Sequence, residues 1–158
     1  MRIELQDAGK RYNRDWIFRN LNYVFSPGGR YALTGPNGSG KSTLLQCISG
    51  AGTLSSGTIT YQLDQNKIPA DRIHKQIAFC APYLELVEEM TLTEALQFHQ
   101  GFKPFFSSLD FLTIAKAVGL ENAMKKEMRY YSSGMKQRVR LAQAFFSDTP
   151  VLLLDEPT

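Results

Sequence analysis

Eight consecutive residues, Gly35-Pro36-Asn37-Gly38-Ser39-Gly40-Lys41-Ser42, complete the pattern G-x-x-x-x-G-K-[ST]. Glycines at this spacing let successive backbone N–H groups turn inward and close on phosphate oxygens, forming an anion nest. A helix starting at Lys41 adds its free N–H groups and the positive end of its dipole. Lys41 is then placed for the β- and γ-phosphates of a nucleotide such as ATP. The Ser42 hydroxyl is placed for Mg²⁺, and Thr43 for the α-phosphate. A second source of chemistry is Asp155-Glu156, directly after Val151-Leu152-Leu153-Leu154. A short apolar strand that ends in two carboxylates sets them at the carboxyl edge of a sheet, where α/β sheets bind ligands. Asp155 is expected to hold Mg²⁺ through water and Glu156 to accept a proton from an attacking water. Alone, such a run fits a solvated strand end as well; the phosphate loop upstream favours the chemical role.

The elements that must position these groups can be read from periodicity. Arg2 to Leu5 alternates polar and apolar, Ile17 to Phe25 is a second strand, and Tyr31-Ala32-Leu33 a third, after the Pro27-Gly28-Gly29 turn. Lys41 to Ser49 reads as a helix with Leu44, Leu45 and Ile48 on one face and Gly50 as its stop. Thr58 to Leu63 and Gln76 to Cys80 read as further strands. Thr91-Leu92-Thr93-Glu94 is a capping box that starts a helix running to about Gln100. Another helix begins near Ser108, carries Phe111, Leu112, Ala115 and Val118 on one face and ends at Gly119. A third runs from near Ser133 to Phe146 with the stripe Met135, Val139, Ala142 and Phe146. Val151 to Leu154 then reads as a fully buried parallel strand.

Composition narrows the class. With 158 residues the chain is long enough for one domain, and 43% hydrophobic against 21% charged residues excludes a disordered or collagen-like chain. The net charge of +3 comes from Lys and Arg spread along the whole sequence, so no nucleic-acid partner is expected. No apolar run approaches the roughly 20 residues of a membrane-spanning helix, and the N-terminus has no secretory h-region. Cys47 and Cys80 lack metal-ligand spacing and read as core thiols; His74 and His99 read as structural residues.

The third candidate is Tyr131-Ser132-Ser133-Gly134-Met135, which by itself is an ordinary helix N-cap. Together with the phosphate loop and the Leu-Leu-Leu-Asp-Glu-Pro-Thr strand, however, it resembles the ATP-binding subunit of ABC transporters across the whole chain. The segment lies where that family has Leu-Ser-Gly-Gly-Gln, with Ser132 matching the serine and Gly134 the second glycine. The resemblance implies an α/β fold: a P-loop NTPase core with an N-terminal antiparallel β-subdomain and an inserted α-helical subdomain, incomplete at the C-terminus. It divides the chain into residues 1–82, about 83–130 and about 131–158. It also implies that Tyr12 stacks on adenine, although a tyrosine at a strand end is otherwise simply half-buried.

Family membership implies ATP hydrolysis that powers transport of an unspecified substrate, with Mg²⁺, Lys41 and Glu156 at the reacting centre. The implied partners are a transmembrane permease subunit and a second ATP-binding subunit, associated head to tail so that Ser132 and Gly134 close the other copy's ATP. The implied location is cytoplasmic, on the inner face of the cell membrane. A soluble ABC-type ATPase acting on ribosomes or DNA is the alternative, and a P-loop small-molecule kinase a more distant one. Two departures stand out. Pro82 occupies the place of the family's Q-loop glutamine and has no side chain to contact a metal. Residues 83–90 face the membrane partner in the family, though their sequence also fits a solvated linker. The chain stops two residues after Glu156, before the family's D-loop and switch histidine. It is therefore expected to be the first part of a longer domain, binding nucleotide weakly and hydrolysing it slowly or not at all.

Overall fold

Two hairpins build the first sheet of the chain, and each closes on a turn with non-glycine residues at positive φ, Asn13 in one and Asp64-Gln65 in the other. The computed structural model describes Met1 to Glu156 and divides into two compact units, Met1–Gln76 and Ile77 onward. In the first unit β1 (Arg2–Tyr12) and β2 (Asp15–Phe25) form an antiparallel hairpin whose turn includes Asn13 at φ 54°. β3 (Ser56–Leu63) pairs with the other edge of β1, and β4 (Asn66–Ile68) with β3, giving the order β2-β1-β3-β4.

The first strand runs seven residues further than its alternation suggests. Its buried side chains are Ile3 and Leu5, then Ala8, a one-residue slip in the pattern. The slip is a bulge: pairing with β2 shifts between Leu5 and Ala8, and Asp7 sits at φ 47°. Asn22 holds the bulge, accepting from the Asp7 N–H at 2.8 Å and donating to the Asp7 carboxylate at 3.0 Å. On β3, Tyr61 is buried and its hydroxyl donates to the Ile48 carbonyl at 3.0 Å, at the end of α1 (Lys41–Ser49). Burial pushes the Tyr61 phenol up to about 12. That contact fastens the helix that follows the phosphate loop to the sheet. The expected third strand at Tyr31-Ala32-Leu33 does not form; no strand pairs with it among the described residues. Its Tyr31 ring instead packs edge-on against Phe25 at 5.0 Å, and its hydroxyl accepts from the Ser26 N–H.

The second unit places β5 (Ile77–Cys80) parallel to β6 (Val151–Leu154), in the register Ile77↔Val151 to Cys80↔Leu154. The capping box forms as read: the Thr91 N–H donates to Glu94 Oε2 at 2.8 Å and opens α2 (Leu92–Gln100). Those hydrogen bonds hold the Glu94 carboxyl below its ordinary value. α3 (Phe111–Ala117) is capped by Asp110, not Ser108, and it buries Ile114 and Ala115 while Leu112 stays exposed. α4 (Ser133–Phe145) buries Val139 and Ala142 in one core with Leu92, Leu96, Ile114 and Met128. Near its C-terminus, Ala144 packs on Ala78 and Cys80 of β5. β6 is parallel as expected but not fully buried: Leu152 and Leu154 are 39% and 37% exposed. Among the described residues this sheet has two strands, and half of β6 meets solvent. Both cysteines are free and buried, and burial raises both thiols.

His99, on α2, is a structural residue with a measurable signature. Its ring stacks on Phe105 at 5.3 Å, and Nε2 lies 2.8 Å from Ser147 Oγ. Because the Ser147 hydroxyl donates to the Gln143 carbonyl, Nε2 carries the proton that bonds Ser147. Burial, and secondarily the Lys103 ammonium, push His99 down to about 4. Unfolding lets this imidazole take up a proton between its folded value and its ordinary value near 6.5, so the unfolded chain binds more protons in that window. Stability is therefore expected to be full above about pH 6.5 and to fall as pH drops towards 4. Urea midpoints measured across that range should show the fall, and His99→Gln, which keeps a donor for Ser147, should flatten it.

Candidate active site

The phosphate loop is shaped by three left-handed glycines. Gly35, Gly38 and Gly40 have φ of 152°, 79° and 90°, a region that side chains rarely adopt. Gly40 is required twice over, since a Cβ there would lie 2.4 Å from Ile17 Cγ2 on β2. The Ser39 N–H closes a turn onto the Pro36 carbonyl at 3.2 Å, and the Leu44 N–H onto the Gly40 carbonyl at 2.9 Å starts α1. Gly40 caps that helix without any side-chain cap, so its first-turn N–H groups stay available to an anion. Lys41 folds back over the loop, where its ammonium donates to the Gly35 and Pro36 carbonyls at 3.0 and 2.9 Å. Ser42 and Thr43 follow on the first turn of α1, both half-buried.

Tyr12 ends β1 and is half exposed, with the Lys10 ammonium over its ring. The same strand end is sewn to residues 53–55: the Ser55 N–H donates to the Gly9 carbonyl at 2.7 Å, and the Arg11 N–H to Ser55 Oγ at 3.1 Å.

In the second unit Asp155 and Glu156 directly follow β6. The Asp155 N–H donates to the Cys80 carbonyl at 2.8 Å, which fixes the residue beside the end of β5. Its side chain is 5% exposed, and Oδ2 is buried with no hydrogen-bond partner among the described residues. An unpaired buried carboxylate oxygen is costly unless something neutralises it. A hard cation or its bound water fits that atom, which is the donor type Mg²⁺ takes. Glu156 is exposed and held at φ 45°, a strained value for a residue with a Cβ. Pro157 and Thr158, the last residues of the Asp-Glu-Pro-Thr resemblance, lie outside the described residues.

Ser132 is the N-cap of α4, its hydroxyl accepting from the Met135 N–H at 3.2 Å. Tyr131, at the leucine place of the resembled motif, is buried in the core and donates to the Ala123 carbonyl at 2.7 Å. Gly134 is exposed, and a Cβ built on it meets nothing within 4 Å. Nothing inside the chain therefore demands glycine at this position. Gly134 and Ala144, which packs beside Cys80, are ten residues apart on α4, about 15 Å along the axis. The helix start thus lies well away from the β5 end that holds Asp155.

The contacts that no sequence pattern announces tie α4 to the segment between β5 and α2. Residues 83–90 are not a loose linker: Arg140 Nε donates to the Leu84 carbonyl, Lys136 pairs with Glu88, and the Arg129 N–H donates to the Glu88 carbonyl at 2.8 Å. These are contacts between residues far apart in the chain, and opposite charge signals only the Lys136–Glu88 pair, since the other two end on backbone carbonyls. Pro82 lies on the exposed start of this segment. No helix among the described residues is long and apolar enough to cross a membrane.

The chain is similar to known proteins over nearly its whole length. The family model for "ABC transporter" matches residues 18–158. The uncharacterized ABC transporter ATP-binding protein YybJ of Bacillus subtilis is 35% identical over 162 residues, covering 99% of this chain and 71% of that protein. A solved ATP-binding subunit of an ABC transporter superposes with a TM-score of 0.81 at 26% identity, covering 99% of this chain and 67% of that one. The dimeric post-hydrolysis ATP-binding cassette MJ0796, bound to ADP and Pi, gives 0.82 at 24% identity over 99% and 74%, a likeness of fold. The fold is that of an α/β P-loop NTPase, with an antiparallel sheet in its first unit and helices with a parallel pair in its second. By its sequence and its fold, the chain belongs to the ABC transporter family, among the ATP-binding subunits.

Proposed function

We propose that this chain carries the site at which ATP with Mg²⁺ is bound and hydrolysed to drive an ABC transporter, and that by itself it binds nucleotide weakly and hydrolyses it slowly. The observation that carries the reading is the glycine-shaped loop before α1, with the Lys41 ammonium held over its own carbonyls. Residues 35–43 cradle the phosphates, Lys41 neutralises charge that develops on the transferred group, and Tyr12 carries the adenine. Ser42 would supply an oxygen to the metal, which when bound would polarise the phosphate; Asp155 is proposed to hold it through water, a role that its unpartnered Oδ2 supports. Glu156 accepts the proton of the attacking water.

Ser132 and Gly134 act on a second copy. Their distance along α4 from the Asp155 end of the sheet supports this, as does the free space over Gly134, which lets a phosphate approach the helix N-terminus. A head-to-tail pair of this kind buries one nucleotide under each helix start. The working place is the cytoplasmic face of the membrane, beside a permease subunit that carries substrate recognition; closure on ATP and opening after hydrolysis supply the stroke.

Titration with a fluorescent ATP analogue, with and without Mg²⁺, tests the assignment. Binding should strengthen with Mg²⁺, and Asp155→Asn should lose about 10- to 100-fold in metal affinity, as outer-shell metal partners do. Metal-free binding should persist in that variant. A folded chain that fails to bind ATP at about 1 mM, the level of a −4 kcal/mol interaction, would remove the proposal.

A further inference from the structure

Lys10 and Tyr12 are two apart at the end of β1, where pairing with β2 shifts register between Lys10 and Arg11. They meet: Lys10 Nζ lies 5.0 Å from the centre of the Tyr12 ring. The same ammonium donates to the Thr53 carbonyl at 2.7 Å, in the loop after α1. Ser55 fixes the backbone on either side, bonding Gly9 and Arg11. The cation is thus seated by a backbone carbonyl and not merely tethered to a flexible stem. An exposed tyrosine with no such neighbour samples several rotamers, and fixing it on binding costs affinity. A cation on one face of an aromatic ring restricts it and blocks that face.

We propose that Lys10 is a positioning residue for the nucleotide base: anchored on Thr53, it occupies one face of Tyr12 and holds the ring so that the opposite face receives adenine. This rests on the reading of Tyr12 as the base platform. Lys10 does not touch the phosphates in this scheme; it acts through the ring. Its effect should therefore depend on a base being present and on Tyr12 being present.

The test compares ATP with inorganic tripolyphosphate, each competing against a fluorescent ATP analogue, in the parent chain and in Lys10→Met, Tyr12→Leu and the double variant. Lys10→Met keeps the apolar stem and should weaken ATP about 2- to 10-fold. Tripolyphosphate affinity should not change, and Lys10→Met should add no further loss in the Tyr12→Leu background. Lys10→Arg, which also seats a cation on an aromatic face, should retain parent affinity and serves if the methionine variant folds poorly. Equal losses for ATP and tripolyphosphate would reduce Lys10 to a general attraction for anions and overturn the proposal. So would a loss that persists without Tyr12, or no loss for ATP. Should Tyr12→Leu leave ATP binding intact while Lys41→Ala removes it, the platform and this inference fall but the phosphate site stands. Failure of Lys41→Ala to weaken ATP removes the site itself.

Discussion

Lys41→Ala is expected to weaken ATP binding by about 10²- to 10⁴-fold while leaving the fold intact. A lysine ammonium has three donors, and here two of them are spent on the Gly35 and Pro36 carbonyls. Those carbonyls belong to exposed residues, so water replaces the ammonium at little cost when it leaves. On phosphate oxygens the same ammonium makes charge-assisted bonds worth about 1.5–3 kcal/mol each, and two of them account for the expected factor. Stability should move by no more than about 0.5 kcal/mol, as for surface positions in general. A thermal melt beside the nucleotide titration separates the two effects. An affinity within threefold of the parent would show that the lysine does not reach phosphate.

Glu156→Gln should lower the rate of ATP cleavage by about 10²- to 10⁴-fold, the span of a lost general base, with ATP affinity almost unchanged. The isostere keeps the shape of the side chain and removes its capacity to take a proton. Glu156 sits outside the buried interior and adopts φ 45°, so the substitution disturbs neither packing nor backbone preference. Single-turnover measurement with protein in excess over radiolabelled ATP is the suitable readout, since it isolates the chemical step from product release. If the glutamine variant retains the parent rate, proton transfer uses another group and Glu156 is only a strand terminus. A parallel loss of affinity would instead point to a role in binding the nucleotide.

The site was more legible in the sequence than its surroundings, for a physical reason. The phosphate loop depends on local rules: glycine where φ is positive, lysine and serine at fixed offsets, and a helix start. The same holds for the Thr91–Glu94 capping box and the Ser132 cap of α4, where each partner lies three residues from the other. Pairing is not local. Tyr31-Ala32-Leu33 has the composition of a strand but no strand beside it among the described residues, whereas β4 carries no sequence signal because its turn, Asp64-Gln65 at φ 47° and 68°, lacks the usual glycine. The bulge at Asp7 hid the second half of β1 by shifting the alternation. Spacing alone puts Leu112 on the buried face of α3, yet the core meets that helix at Ile114 and Ala115. The orphaned oxygen of Asp155 and the ties from α4 to residues 84–88 depend on side chains meeting across the fold, and no spacing rule reports them.

The two cysteines give this molecule a pair of built-in clocks. Cys47 is 2% exposed and lies in the first compact unit; Cys80 is fully buried and lies in the second. A thiol reagent reaches either sulfur only when its surroundings open, because the reactive thiolate is disfavoured by burial as well as shielded. Alkylation followed by peptide mass spectrometry therefore reads the opening of each unit separately, without any engineered probe. Added nucleotide that slows labelling of Cys47, which follows the phosphate loop on α1, would register ligand binding as local protection in the unlabelled native chain.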